Sequence, residues 1–137
     1  MAENSALIDA GPLIALFDSD DKYHGRAKKA ISGFRGRLVT TWAVLAEVAH
    51  LLAYSAEVQM DFLQWLERGA LAIENPALGD IGYIADRMKK YNDRPMDLAD
   101  ATLMCIAEKQ GIRCIFSIDE DFSIYKTIKG KTLQNLL

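Results

Sequence analysis

The sequence predicts an α/β fold, a three-layer α/β/α sandwich of Rossmann-like build around a central parallel sheet. Three observations predict it. Short apolar runs of strand length alternate along the whole chain with longer segments of helical period. The first run, "SALID", is apolar up to its final acid, as a buried strand would be. Glycines and prolines fall where the two kinds of segment meet.

Taken in order, residues 5–9 form the first strand, and "AGPLIALFD" the helix after it. Gly11 suits the turn and Pro12 a first helical position. "DKYHGRAKKAISGF" is a second helix, with Ala27, Ala30, Ile31 and Phe34 at helical spacing and basic residues between them. "GRLVTT" is the second strand. "TWAVLAEVAHLLAY" is a helix whose Val44, Leu45, Val48, Leu51 and Leu52 form a core-facing stripe, with Glu47 on its border. "VQMDFLQWLERG" is a further helix, closed by Gly69. "ALAIEN" is the third strand, and "PALGDIGYIADRMKKYN" a helix with Pro76 near its start. After the break at "DRP", a largely apolar helix runs from residue 96 to 109 and ends at Gly111. "IRCIFSIDEDF" is the fourth strand with its exit loop, and the tail "KGKTLQNLL" adds a short last strand.

A chain of 137 residues with half of them hydrophobic fits one domain, 1–137, with a substantial core. No linker, repeat or low-complexity segment interrupts it. With 16 basic and 19 acidic residues the net charge is -3, which argues against holding nucleic acid by bulk positive charge. An enzyme that meets phosphates through bound metal stays open, because such a site is acidic before the metal arrives. Cys105 and Cys114 make neither a disulfide framework nor a CxxC, and read as reduced core residues of a cytoplasmic protein. The first eleven residues have no secretory pattern, and no stretch approaches a membrane span.

The acids carry the functional signal. In an open parallel sheet, ligands bind beyond the carboxyl ends of the strands. Asp9 stands at the exit of the first strand, and Asp119 and Asp121 at the exit of the fourth. Asp97 and Asp100 open the helix leading into the fourth strand, so they share that rim, and Glu47 can reach back to it. Asp97 also reads as a plain helix N-cap. Asp100, within "LADATLM", is costly to bury unpaired. Six carboxylates gathered at one rim repel each other, and a divalent cation resolves that repulsion. Carboxylate oxygens suit Mg²⁺ or Mn²⁺, which can activate a water against a phosphodiester. His24 reads as a solvated residue of a polar helix start, and His50 as structural. The lysines and Arg26 read as solvated surface, with RNA phosphates as a second reading. Trp42, Trp65 and Tyr83 read as core or dimer-face residues, with base stacking as a second reading.

In these residues the chain resembles the PIN domains, and within them the VapC-like toxin ribonucleases. "LIDAGPLIALFD" is similar to the family's first strand and helix with Asp9 as first acid, and "TTWAVLAEVAHLL" to its second motif with Glu47. "MDLADATLMCIAEKQG" resembles the third motif with Asp100, and "SIDEDF" the T-x-D-x-D-F ending with Asp119. The resemblance spans residues 7–122. It implies Mg²⁺- or Mn²⁺-dependent hydrolysis of RNA by the toxin of a toxin–antitoxin pair, a homodimer, and often an antitoxin protein as partner. Asp9, Glu47, Asp100 and Asp119 are then the catalytic and metal-holding acids. Asp97, Asp121 and Ser117 support them or serve a second ion. One departure stands out: many relatives carry Ser or Thr directly after the first acid, and this chain has Ala10.

A rival reading is a PIN-like module that binds RNA or a partner without cleaving. The four acids speak against it, and Ala10 keeps it open. A phospho-receiver would need an aspartate at the exit of the third strand, which ends "AIENP". A DxDxT phosphatase would need a second aspartate at Gly11.

Overall fold

In the computed structural model, which describes residues 4–137, five parallel strands form one sheet in the order β3-β2-β1-β4-β5. The strands are β1 (Ser5–Ile8), β2 (Arg37–Thr40), β3 (Ala72–Ile73), β4 (Cys114–Phe116) and β5 (Gln134–Asn135). Six helices, α1 (Ala10–Phe17), α2 (His24–Gly33), α3 (Trp42–Leu51), α4 (Ala56–Glu67), α5 (Ile81–Lys90) and α6 (Leu98–Gln110), complete the three-layer α/β/α sandwich. The chain winds outward twice from β1, first through β2 to β3, then through β4 to β5. The direction therefore reverses between β1 and β4, where a crevice opens at the strand exits.

β1 sits at the centre and all four of its residues are buried. Leu7 pairs with Val39 on one side and Ile115 on the other. Leu13, Val44, Leu45, Val48, Phe62, Leu103, Met104 and Ile106 pack from the helices into the same core. Phe62 and Trp65 of α4 meet Phe17 edge-on, with ring centroids at 5.4 and 5.2 Å. Every residue of α6 from Ala99 to Ala107 is buried, all the way round the helix, which is why its sequence is apolar without a polar stripe.

The elements follow the expected order, and the ends differ where local bonds decide. Pro12 is the third residue of α1, still within the first turn, where a missing N–H costs nothing. Gly11 is helical and not a turn residue; a Cβ there would meet the Cβ of Ile118 at 3.3 Å, so the glycine serves close packing against the loop after β4. Ser55 caps α4, which therefore begins before Val58. Pro76 lies outside α5, because the Asp80 carboxylate accepts the Ala77 N–H at 2.7 Å and makes a 3₁₀ turn, Leu78–Asp80, ahead of the helix. Gly111 ends α6 at φ 68°, and Gly69 follows α4 at φ 85°, both in the left-handed region expected there. His24 is not simply solvated: its Nδ1 lies 2.7 Å from the Ala15 carbonyl, joining α2 to α1. His50 is exposed in the last turn of α3. Cys105 is buried and Cys114 half-buried, both as free thiols.

Two hydroxyl bonds fix the elements around the crevice. Thr40 donates to the Ile8 carbonyl at 3.0 Å. Thr41, the N-cap of α3, accepts the Val44 N–H and lies 2.8 Å from the Thr102 hydroxyl of α6. Thr102 itself donates to the Ala99 carbonyl, so Thr41 is the donor of the pair. The helix that carries Glu47 is thereby tied to the helix that carries Asp100. Thr41→Ala removes both a cap and this cross-link, and the expected cost is about 1–2 kcal/mol. Urea unfolding at unchanged m-value measures it; a midpoint equal to the parent's contradicts it.

Candidate active site

Asp9 follows β1 directly, and its backbone N–H continues the ladder to the Phe116 carbonyl of β4 at 3.0 Å. Its carboxyl is thus held at the crevice between β1 and β4, 8 % exposed. β4 ends at Phe116, and Ser117 and Asp119 take the chain across the same opening. Asp97 caps α6 by accepting the Asp100 N–H at 2.8 Å, so the cap reading of Asp97 holds and the cap also orients Asp100. Asp100, in the first turn of α6, is 9 % exposed.

These groups surround one cleft of about 360 Å³. Asp9, Glu47, Asp97, Asp100, Asp119 and Asp121 all line it, so the structure brings all six predicted acids together. Ala10, Gly11, Ile14, Pro95 and Ile118 complete its wall. Ser117 is buried and does not itself line the cleft. Its hydroxyl is 3.3 Å from Asp9 Oδ2 and 3.2 Å from the Asp119 carbonyl, and it accepts the Asp119 N–H at 3.1 Å. Asn135 holds both backbone groups of Ser117: its amide nitrogen donates to the Ser117 carbonyl at 2.9 Å and its amide oxygen accepts the Ser117 N–H at 3.2 Å. Asp119 in turn accepts the Asp121 N–H at 3.0 Å.

The electrostatics follow from burial and proximity. Burial pushes the Asp9 carboxyl up to about 6, with Glu47 and Asp119 adding to the rise and the Ala10 N–H and Ser117 hydroxyl opposing it. Burial raises Asp100 to about 8, reinforced by Asp9, Asp97 and Asp119. Glu47 stands at the exposed mouth and is raised by partial desolvation and by Asp97. Asp121 is raised by desolvation and Asp119, against the pull of Arg94. Among the described residues, the single ion pair to any of the six acids is Arg94–Asp121, at 3.4 Å and half-exposed.

Such a donor set fits a hard divalent cation, since every candidate ligand is a carboxylate oxygen and, among the described residues, the buried acids lack a countercharge. The acids are spread around the cleft: among the described residues no three of them close into a ready-made cage. An ion that keeps several waters, as Mg²⁺ does, requires no such cage.

Sequence reasoning missed two contributors. Tyr125 donates to Asp100 Oδ2 at 3.3 Å, and Asn135 holds Ser117. Asn135 left a faint signal as a polar residue in the apolar ending "LQNLL"; Tyr125 left none, because its partner is 25 residues away in sequence. The other residues considered stand outside the cleft. Trp42 is exposed, Trp65 packs on Phe17, and Tyr83 is half-buried with its hydroxyl 3.5 Å from the Met104 carbonyl. Arg26, Lys28, Lys29, Lys89 and Lys90 are exposed on helices.

Comparison with known proteins adds to this geometry. The profile of the PIN domain family matches residues 6–127. Ribonuclease VapC26 of Mycobacterium tuberculosis is 28% identical over 127 residues, covering 90% of this chain and 94% of its own. The crystal structure of Mycobacterium tuberculosis VapC20, a sarcin-ricin loop cleaving toxin, superposes with a TM-score of 0.80 at 20% identity, over 90% of this chain and 97% of the other. VapBC2 from Rickettsia felis, bound to a DNA fragment from its promoter, gives 0.63 at 11% identity, over 88% and 92%.

The raised acids make the metal-free protein sensitive to pH. Asp9 and Asp100 hold protons in the folded chain that they lose in the unfolded one, from an ordinary value of 3.8 up to about 6 and about 8. Stability is therefore greatest at low pH within that window and falls as pH rises through it. In EDTA, Tm is expected to decline from pH 5 to pH 8, and Asp100→Asn to flatten the decline. A Tm that rises with pH over that range contradicts the assignment.

Proposed function

The chain belongs to the PIN domain family, and from that membership we propose that it is a Mg²⁺- or Mn²⁺-dependent endoribonuclease, the toxin of a toxin–antitoxin pair. The observation that carries the reading is the cleft at the strand-order reversal, where six acids converge and the two buried ones face no basic group among the described residues. The relatives support the substrate class: one is named a ribonuclease, another a toxin that cleaves the sarcin-ricin loop. The VapBC2 structure supports an antitoxin as partner.

Asp9, Asp100 and Asp119 would hold the metal, directly or through water. Glu47, at the mouth, would hold metal or orient the attacking water, and a carboxylate raised above its ordinary value is suited to accept that water's proton. Asp97 and Asp121 would support the first four or serve a second ion. Ser117 keeps Asp9 and the Asp119 backbone in register, and supplies the hydroxyl next to Asp9 that Ala10 does not. The bound cation supplies charge neutralisation at the scissile phosphate and Lewis acidity toward its oxygens.

The same reading takes residues 1–137 as one domain, acting in the cytoplasm as a homodimer. Residues 1–3 of that span lie outside the described residues. No helix among the described residues is long and apolar enough to cross a membrane. Leu51, expected in the core-facing stripe of α3, is instead exposed at the helix end; with Tyr54 in the turn after it and Met60 and Leu63 on α4, it offers apolar surface to a protein partner.

Cleavage of a mixed tRNA and ribosomal RNA pool tests the proposal, with Mn²⁺, Mg²⁺ or EDTA, beside Asp9→Asn purified identically. Cleavage is expected to need metal and to vanish in Asp9→Asn, which should melt no lower than the parent because it loses one member of a repelling cluster. Equal cleavage by both proteins points to a contaminant. RNA bound by both and cut by neither favours the non-cleaving binding module.

A further inference from the structure

The Asp100 carboxyl receives one side-chain hydrogen bond among the described residues, from the phenol of Tyr125 at 3.3 Å. Tyr125 is fully buried and held from several sides. Its ring meets Tyr91 and Phe122 edge-on, with centroids at 5.1 and 5.3 Å. Its backbone N–H donates to the Asp121 carbonyl at 3.1 Å, within the turn that carries the fourth-motif acids. The next residue, Lys126, donates its N–H to the Tyr91 hydroxyl at 2.9 Å. A second acceptor, the Pro95 carbonyl, lies 3.5 Å from the phenol oxygen.

We propose that Tyr125 is a positioning residue for the metal site: its hydroxyl pins one oxygen of Asp100 and leaves the other for the cleft. The arrangement is one-sided. A phenol has a single hydrogen, so it can engage one carboxylate oxygen and cannot chelate both. Asp100 sits on α6 and Asp119 on the loop after β4, two elements with separate backbones. Tyr125 connects them, through its backbone to the Asp121 carbonyl and through its side chain to Asp100. Partners of this kind, which orient a ligand without touching the ion, matter for affinity as well as for geometry.

This inference rests on the metal-site reading, and the experiment separates the two. Mn²⁺ binding is followed by electron paramagnetic resonance for the wild type, Asp9→Asn, Tyr125→Phe and Tyr91→Phe, with melting curves for each. Tyr91→Phe is the structural control: it keeps the packed ring pair, removes the acceptor of the Lys126 N–H in the same loop, and leaves the Asp100 bond in place. Tyr125→Phe keeps the ring packing and is expected to weaken Mn²⁺ binding about tenfold, lowering kcat for RNA more than it changes KM. Tyr91→Phe is expected to lower Tm and leave Mn²⁺ affinity unchanged. Wild-type affinity in Tyr125→Phe overturns the proposal alone, and so does an equal loss in Tyr91→Phe, which assigns the effect to loop integrity. A wild type that binds no Mn²⁺ overturns the metal-site reading and this proposal with it.

Discussion

Ionised Asp9 and Asp100 repel one another across a cleft that burial has already made a poor solvent for charge. Neither faces a basic group among the described residues, and four more acids surround them. That repulsion is the constraint the rest of the architecture answers. Asp9 is fixed by the ladder between β1 and β4, with Thr40 securing the preceding carbonyl from β2. Asp100 is fixed by the Asp97 cap, the Tyr125 phenol and the Thr41–Thr102 link between α3 and α6. Each attachment is a neutral hydrogen bond or a backbone bond. None of them cancels charge.

The placement follows from topology. Where strand order reverses, two neighbouring parallel strands send their following segments to opposite sides, and the gap between β1 and β4 remains open at their exits. Helices that return against the strands begin at the same rim. Their N-termini carry partial positive charge and free N–H groups, which favour acids there. α6 uses both: Asp97 occupies one N–H, and Asp100 sits in the first turn. The same acids in the middle of a strand or at a helix end would have no such support.

Much of this was legible from the chain, for identifiable reasons. A parallel sheet was readable because strand-length and helix-length runs alternate along the chain, and a buried first strand because "SALID" is largely apolar before its terminal acid; the structure buries all four residues of β1. The six acids were readable because their positions are local, each at a strand exit or near a helix start. What escaped notice depends on long-range contact. Gly11 reads as a turn residue until Ile118, far along the chain, is seen to press against it. The Ser117 hydroxyl has a recognisable place in "SIDEDF", but its Asn135 support comes from a two-residue strand that pairs with β4. The start of α5 escaped because Asp80, which looks like an interior helix residue, turns its carboxylate back to the Ala77 N–H. His24 looks solvated because nothing near it in sequence names the Ala15 carbonyl.

The distribution of partners separates the acids by role. The two buried ones receive neutral hydroxyls, Ser117 on Asp9 and Tyr125 on Asp100, with the Ala10 N–H as a second neutral partner of Asp9. Three of the four more exposed ones are engaged by backbone N–H groups or by Arg94: Asp97 by the Asp100 N–H, Asp119 by the Asp121 N–H, and Asp121 by Arg94. A lysine or arginine against Asp9 or Asp100 would satisfy its charge and remove the reason for a cation to bind. A hydroxyl does something different: it restricts where the carboxylate points while leaving its charge available. Ala10 fits this logic, since Asp9 already has its hydroxyl from Ser117. A site built to hold an ion needs oriented, uncompensated acids, and the neutral partners of Asp9 and Asp100 provide the orientation while leaving the charge in place.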